Sequence, residues 1–373
     1  MNAFRIPFLQ PQLPALEVLT PDFHRIWETR RFSNAGHFDQ RLAQQLSAYL
    51  DGAHCIPVAN ATLGLMLAAK ALAKPSGKRQ VAVLPSFTFP ASALALQWAG
   101  YEPVFCDIDA DTLQPVFVPD VIRSQSRDVG LLLACNTFGA PGDLAAWEAA
   151  AAALDVPLLI DSASGLGSVY TDGRKLGAAG ATEVFSLHAT KTFGVGEGGV
   201  VATSDDTLAQ RLLRARNFGL DDAGVCIDVG LNAKLAEIHA AIACHVLAGY
   251  DAACTQRRGI AAEYVQRLRP LGVRFQRHGE RSTYQCVSAL LPQGSERSDV
   301  QRLLAQRGIE TRAYFDPPLH RHPQFHDVAA VNSLATTNDV AARILSLPIY
   351  NDMNVATVEE VCRALGDALT QTH

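Results

Sequence analysis

An α/β fold is predicted for this chain: a mostly parallel central sheet flanked by helices, followed by a smaller C-terminal α+β domain. Three observations predict it. Between residues 80 and 205, short β-rich runs alternate with helical stretches. Those runs are nearly continuous hydrophobes rather than alternating ones, as expected of strands covered on both faces. The length, 373 residues, is long for one core and suits two domains. The expected division is a large domain over 1–245 and a small one over 246–373, with the N-terminal segment packing on the small domain.

The elements follow in order. Val58-Ala59-Asn60-Ala61-Thr62 opens a helix over Leu63 to Leu72. Val81-Ala82-Val83-Leu84 is a strand, followed by an apolar helix over 90–99. Strands are then expected at 103–107 and 130–135, and an alanine-rich helix over 143–154. Further strands fall at 156–161, 184–187 and 199–203. After Asn232, the residues Leu235, Ile238, Ala241, Ile242 and His245-Val246 recur at spacings of three and four, which predicts one long connecting helix towards Arg269. The remainder predicts a strand over 285–291, a helix over 298–307, a strand near Ile309 and a terminal helix over 356–369.

Composition excludes several function classes. Hydrophobic residues make up 48% and charged ones 18%, ordinary for a soluble globular protein. A net charge of −5 gives no general attraction for nucleic acid or anionic membranes. No charged-then-apolar leader marks Met1 to Pro7 and no apolar run reaches membrane length, so a cytoplasmic location is expected. Eight scattered cysteines, without a C-x-x-C pair, predict free thiols that are mostly buried. His320, His322 and His326 are close in sequence, but no paired carboxylate or cysteine stands beside them, and no metal site is expected.

Three features carry chemistry. Lys191 follows the buried strand at 184–187 and precedes the glycine run Gly194, Gly196, Gly198, Gly199. Desolvation at such a strand end favours the neutral amine, the form that attacks an aldehyde. By itself a loop lysine is more often a solvated charge. The glycines match G-x-G-x-x-G, yet they lead into a strand rather than a helix, so a dinucleotide site is not predicted. Asp161 ends an apolar strand, where a carboxylate needs a partner. A protonated pyridinium nitrogen and a turn or helix cap serve equally well on position alone. The helix start at Ala61 and Thr62 suits a phosphate, although N-capping by Asn60 is the commoner meaning of such a sequence.

In order and setting these features resemble the DegT/DnrJ/StrS aminotransferases, fold-type-I pyridoxal phosphate enzymes that mostly act on nucleotide-borne keto-sugars. The strongest pieces are Pro85-Ser86-Phe87-Thr88-Phe89, Val104-Phe105-Cys106-Asp107-Ile108-Asp109, and Phe185 through Gly199. Weaker ones are Gly230-Leu231-Asn232 with Glu237 and Ala240-Ala241, and Pro317-Pro318-Leu319-His320. The resemblance implies that Lys191 is the Schiff-base lysine and Asp161 the partner of the pyridine nitrogen. Phe89 would stack on the ring, while Ala61, Thr62 and Ser186 would hold the phosphate. Asn232 would reach that phosphate from a second subunit, which implies a homodimer with shared active sites. His320 would lie in a loop near the substrate pocket.

Two residues depart from the family pattern. Ser164 stands where a glutamine usually contacts the ring hydroxyl, so water or another residue must replace that contact. Lys234 stands where arginine is common, exchanging a bidentate contact for a point charge. The implied reaction moves an amino group from a donor, glutamate in most of the family, to a keto-sugar. Rival readings are a pyridoxal phosphate-dependent sugar dehydratase, whose members typically carry histidine in place of Lys191, and a cofactor-binding regulator without turnover. The lysine–aspartate pair speaks against both.

Overall fold

The computed structural model describes residues 4–74, 80–124 and 128–372, so positions 1–3 of the opening stretch lie outside it. Among the described residues a seven-stranded sheet forms from β1 (His54–Val58), β2 (Val81–Pro85), β3 (Glu102–Cys106), β4 (Val129–Cys135), β5 (Leu158–Asp161), β6 (Thr182–Ser186) and β7 (Gly199–Thr203). Their spatial order is β1-β7-β6-β5-β4-β2-β3. The pairs from β3 across to β6 are parallel, whereas β7 runs antiparallel to both β6 and β1. Residues 187–198 join β6 to its neighbour β7 without a helix, so the chain turns back directly into the adjacent strand. The loop holding Lys191 is therefore a hairpin tip at the carboxyl end of β6.

Helices Ala61–Leu72, Pro90–Ala99 and Leu144–Leu154 form where the sequence predicts them. Asn60 Oδ1 accepts from the Leu63 N–H at 2.9 Å, and Asp143 caps its helix through Ala146 N. The expected single helix after Asn232 is instead two, Glu237–Ala248 and Tyr250–Leu268. Gly249 breaks it, as a residue with little helix preference and no side chain to hold the axis. Tyr250, just beyond, donates to the Leu166 carbonyl at 2.6 Å and packs against Phe193. The strand expected near Ile309 is a single parallel bridge to Ile6.

A second sheet combines β8 (Arg274–Phe275), β9 (Val287–Leu290) and β10 (Ile344–Leu347) in the order β10-β9-β8. Helices Tyr250–Leu268 and Val355–Thr372 cover it, and its core also takes in Ile6. Two further helices, Leu16–Thr29 and His37–Tyr49, lie ahead of β1. The Glu237 carboxylate accepts from the Phe38 and Asp39 N–H groups at 2.8 and 2.9 Å, capping the second of these from the start of Glu237–Ala248. Asp39 in turn grips Arg216 bidentately at 2.9 and 3.0 Å, and Arg216 donates to the Pro57 carbonyl at 2.7 Å. This buried pair ties the segment carrying Asn232 to the edge of the main sheet. Seven cysteines are buried and Cys226 is exposed, all of them free. Among the described residues no helix is long and apolar enough to cross a membrane.

Candidate active site

The site is assembled where β5, β6 and β1 end and β7 begins. Register places Ser186, Gly199 and Val58 side by side across β6, β7 and β1. The helix Ala61–Leu72 starts directly above them. A Cβ at Gly199 would stand 2.6 Å from the Ala61 nitrogen, so only glycine lets the helix start approach this closely. The glycine run thus serves packing against a helix end. Ala61 and Thr62 contribute N–H groups that a helix cannot satisfy internally. Ser186 Oγ accepts from the His188 N–H at 3.2 Å and keeps its own proton to donate. Anion-binding groups and a helix dipole therefore converge on one spot.

Asp161 ends β5 and is 9% exposed. Ser92 Oγ donates to its Oδ2 at 2.6 Å and the Ala163 N–H to its Oδ1 at 3.0 Å. Burial pushes this carboxyl above the usual carboxylate range, and the Ser92 hydroxyl, the Ala163 N–H and the Lys191 charge only partly counter it. A carboxylate held by neutral donors in a dry setting suits a cationic nitrogen brought to it. Lys191 is the converse case. Its Nζ donates to Ser164 Oγ and to Gln285 Oε1, both at 3.1 Å. Burial lowers its pKa, opposed by Asp161 and Cys286, so the neutral amine forms more readily than in a free lysine.

Phe89 is 58% exposed, which rules out core packing. It caps the helix Pro90–Ala99, whose first turn delivers Ser92 to Asp161. Asn232 is exposed and bridges to Asn217, and Lys234 Nζ donates to Asn217 Oδ1 at 2.9 Å while lying 4.7 Å from the Phe218 ring centre. Contacts of these two residues therefore stay within their own hairpin. His320 is pinned to a strand end: Ser86 Oγ accepts from its backbone N–H at 3.1 Å and sits 2.7 Å from Nδ1, and Asn338 Oδ1 is 3.2 Å from Nε2. Burial lowers its pKa, in keeping with a neutral ring that accepts at Nδ1 and donates at Nε2. His322 and His326 turn to the Pro317 and Pro323 carbonyls.

Three contributors have no sequence motif. Ser92 is one hydroxyl in an otherwise apolar helix start, a weak signal. Gln285 arrives from the segment before β9. Glu183, wholly buried in β6, accepts from Ser162 Oγ at 2.6 Å, Gly177 N–H at 2.8 Å and Tyr170 OH at 3.0 Å. Burial pushes its carboxyl up from 4.5 to about 7. Between those values the folded state holds a proton that the unfolded chain has lost, so stability falls as pH rises through the window. The full effect is on the order of 3 kcal/mol. Glu183→Gln is expected to flatten this slope, read as denaturant midpoints at pH 5 and pH 8. An unchanged slope in the variant would place the pH dependence elsewhere.

A buried lysine amine and a buried carboxyl group beside an anion cradle, on a sheet with one reversed strand, fit pyridoxal phosphate and point to a transferase of that class. The model of the DegT/DnrJ/EryC1/StrS aminotransferase family matches residues 17–366. The chain belongs to this family and is a pyridoxal phosphate-dependent aminotransferase. Protein Rv3402c of Mycobacterium tuberculosis (strain ATCC 25618 / H37Rv) is 37% identical over 372 residues, covering 98% of this chain and 90% of its own length. The dTDP-4-amino-4,6-dideoxy-D-glucose transaminase of Escherichia coli is 27% identical over 373 residues, covering 98% and 99%. The crystal structure of DesI in the presence of its TDP-sugar product superposes with a TM-score of 0.89 at 30% identity, covering 99% of this chain and 94% of that one.

Proposed function

We propose that this enzyme moves an amino group from an amino acid, glutamate in the first instance, to the carbonyl of a nucleotide-linked keto-sugar. The observation that carries this reading is the buried Lys191 amine, held by Ser164 and Gln285 beside an Asp161 carboxyl fixed by Ser92. The sugar-nucleotide acceptor is supported by the named E. coli transaminase and by DesI with its TDP-sugar product.

Pyridoxal phosphate, when bound, supplies a ring that withdraws electrons from the donor's α-carbon. Lys191 Nζ would hold the cofactor covalently until the donor's amino group displaces it, and the freed amine would then take the proton from that carbon and return it across the site. Asp161 would keep a proton on the ring nitrogen, with Ser92 fixing its carboxylate for that task. Phe89 would stack on the ring, a partner for an exposed phenylalanine. The Ala61 and Thr62 N–H groups and the Ser186 hydroxyl would hold the phosphate. On this reading the large domain, 1–245, carries the cofactor residues, and the small one, 246–373, supplies Gln285.

The active unit is a homodimer. Val225, Ile227 and Val229 are each more than half exposed on the hairpin that carries Asn232, and Trp98 is 77% exposed. Burying such a surface against a second copy would bring Asn232 to the neighbouring phosphate.

The test incubates the purified holoenzyme with L-glutamate and a panel of nucleoside-diphosphate keto-sugars, and follows 2-oxoglutarate. Release that depends on a keto-sugar is the expected result. Borohydride reduction followed by peptide mapping is expected to place the cofactor on Lys191. A cofactor trapped on a different lysine, or no oxoacid with any sugar acceptor, would overturn the reading.

A further inference from the structure

We infer that Gln285 is a positioning residue for the Lys191 amine, which it holds together with Ser164. This rests on the reading of Lys191 as the cofactor lysine. Three polar groups form a closed triangle. Lys191 Nζ lies 3.1 Å from both Ser164 Oγ and Gln285 Oε1, and the Ser164 hydroxyl donates to the same Gln285 oxygen. The other end of the amide, Nε2, is 3.4 Å from the carbonyl of Thr190, the residue before the lysine. One side chain thus touches the lysine's amine and the backbone that launches it.

The triangle fixes a direction. A neutral amine has two N–H donors and one lone pair. With both donors taken by Ser164 and Gln285, the lone pair is left pointing away from them, ready to attack or to accept a proton. Either acceptor alone leaves the amine free to rotate.

The segment presenting Gln285 is held to both of its targets. The chain turns at Tyr284 in the left-handed region, φ 50°, an unusual setting for a bulky residue. Buried Arg257 donates to the Tyr284 carbonyl through Nε at 2.9 Å and Nη2 at 2.6 Å, and to the Gln285 carbonyl at 3.4 Å. Thr283 Oγ1 donates to the Ser164 carbonyl at 3.1 Å, and Thr192 Oγ1 to the Thr283 carbonyl at 3.3 Å.

The titratable groups acting on Lys191 are Asp161 and Cys286, and neither changes in the variants proposed. The first measurement uses apoenzyme and follows competitive acetylation of Lys191 against pH. Gln285→Leu removes an acceptor that favours the charged amine, so the labelling midpoint falls; Gln285→Glu adds a negative charge, so it rises. A residue serving only as packing would move neither midpoint. In the holoenzyme, Gln285→Leu is expected to slow the glutamate half-reaction roughly 10-fold or more. Identical labelling midpoints in wild type and both variants overturn the inference. If borohydride maps the cofactor to Lys191 while these midpoints stay fixed, only the role of Gln285 fails; a different lysine removes the functional reading itself.

Discussion

Lys191→Ala is expected to lower kcat by about 10⁴-fold, because one amine both holds the cofactor and moves the substrate proton. The fold should survive. The lost side chain contributes two hydrogen bonds, to Ser164 and Gln285, and a charge that burial already disfavours. Its thermal midpoint is therefore expected to stay at or above that of wild-type apoenzyme. Stopped-flow absorbance of the glutamate half-reaction, alongside a thermal scan, checks both parts. The pH dependence has a definite sign. The amine reacts when neutral, and burial sets its pKa below 10.5, so cofactor capture rises with pH and levels off earlier than it does for a free lysine. Turnover within about tenfold of wild type in Lys191→Ala would assign the proton transfer to another group.

Asp161→Asn is expected to lower kcat by about 10³-fold, equivalent to about 4 kcal/mol of transition-state stabilisation. Asparagine keeps the shape, its oxygen accepting from the Ala163 N–H while its amide nitrogen donates to a rotated Ser92 hydroxyl, but it presents no charge to the ring nitrogen. The proton there is then lost, and with it the ring's capacity to draw charge from the donor's α-carbon. Stability should change little or rise, since burial already pushes the Asp161 carboxyl up and the amide removes that cost. The half-reaction rate constant and a cofactor dissociation constant are the measurements. A kcat within threefold of wild type would reduce Asp161 to a turn residue that accepts from Ala163, the alternative its sequence position left open.

Parts of the architecture were legible because burial leaves local marks. β4 is a run of hydrophobes with both faces covered, and its composition announces this without reference to the rest of the chain. The helix Leu144–Leu154 is marked by its cap, Asp143, and by its alanines. Helix His37–Tyr49, not among the elements expected from sequence, buries Phe38, Leu42 and Leu46, four residues apart. Helix Leu16–Thr29 is much fainter: it buries only Leu19 and Ile26 and contains Pro21. The two-residue strand β8 is too short to carry any period.

The lysine–aspartate pair follows the same division. Lys191 and Asp161 stood out in the sequence because one follows an apolar strand and the other ends one, in an order that resembles the family's. The cofactor class was legible in that resemblance, and the family match bears it out. Ser92, Glu183 and Gln285 were not legible. A serine in an apolar helix, a glutamate inside a strand and a glutamine before one have no local signature, since their partners are 69, 21 and 94 residues away. Hydrogen bonds over such separations exist only once the two sheets and their helices have packed. The chemistry of Lys191 was thus written in the chain, but the direction in which its amine points was decided only by the tertiary fold, which brings a side chain from beyond residue 280 against a loop at the end of β6.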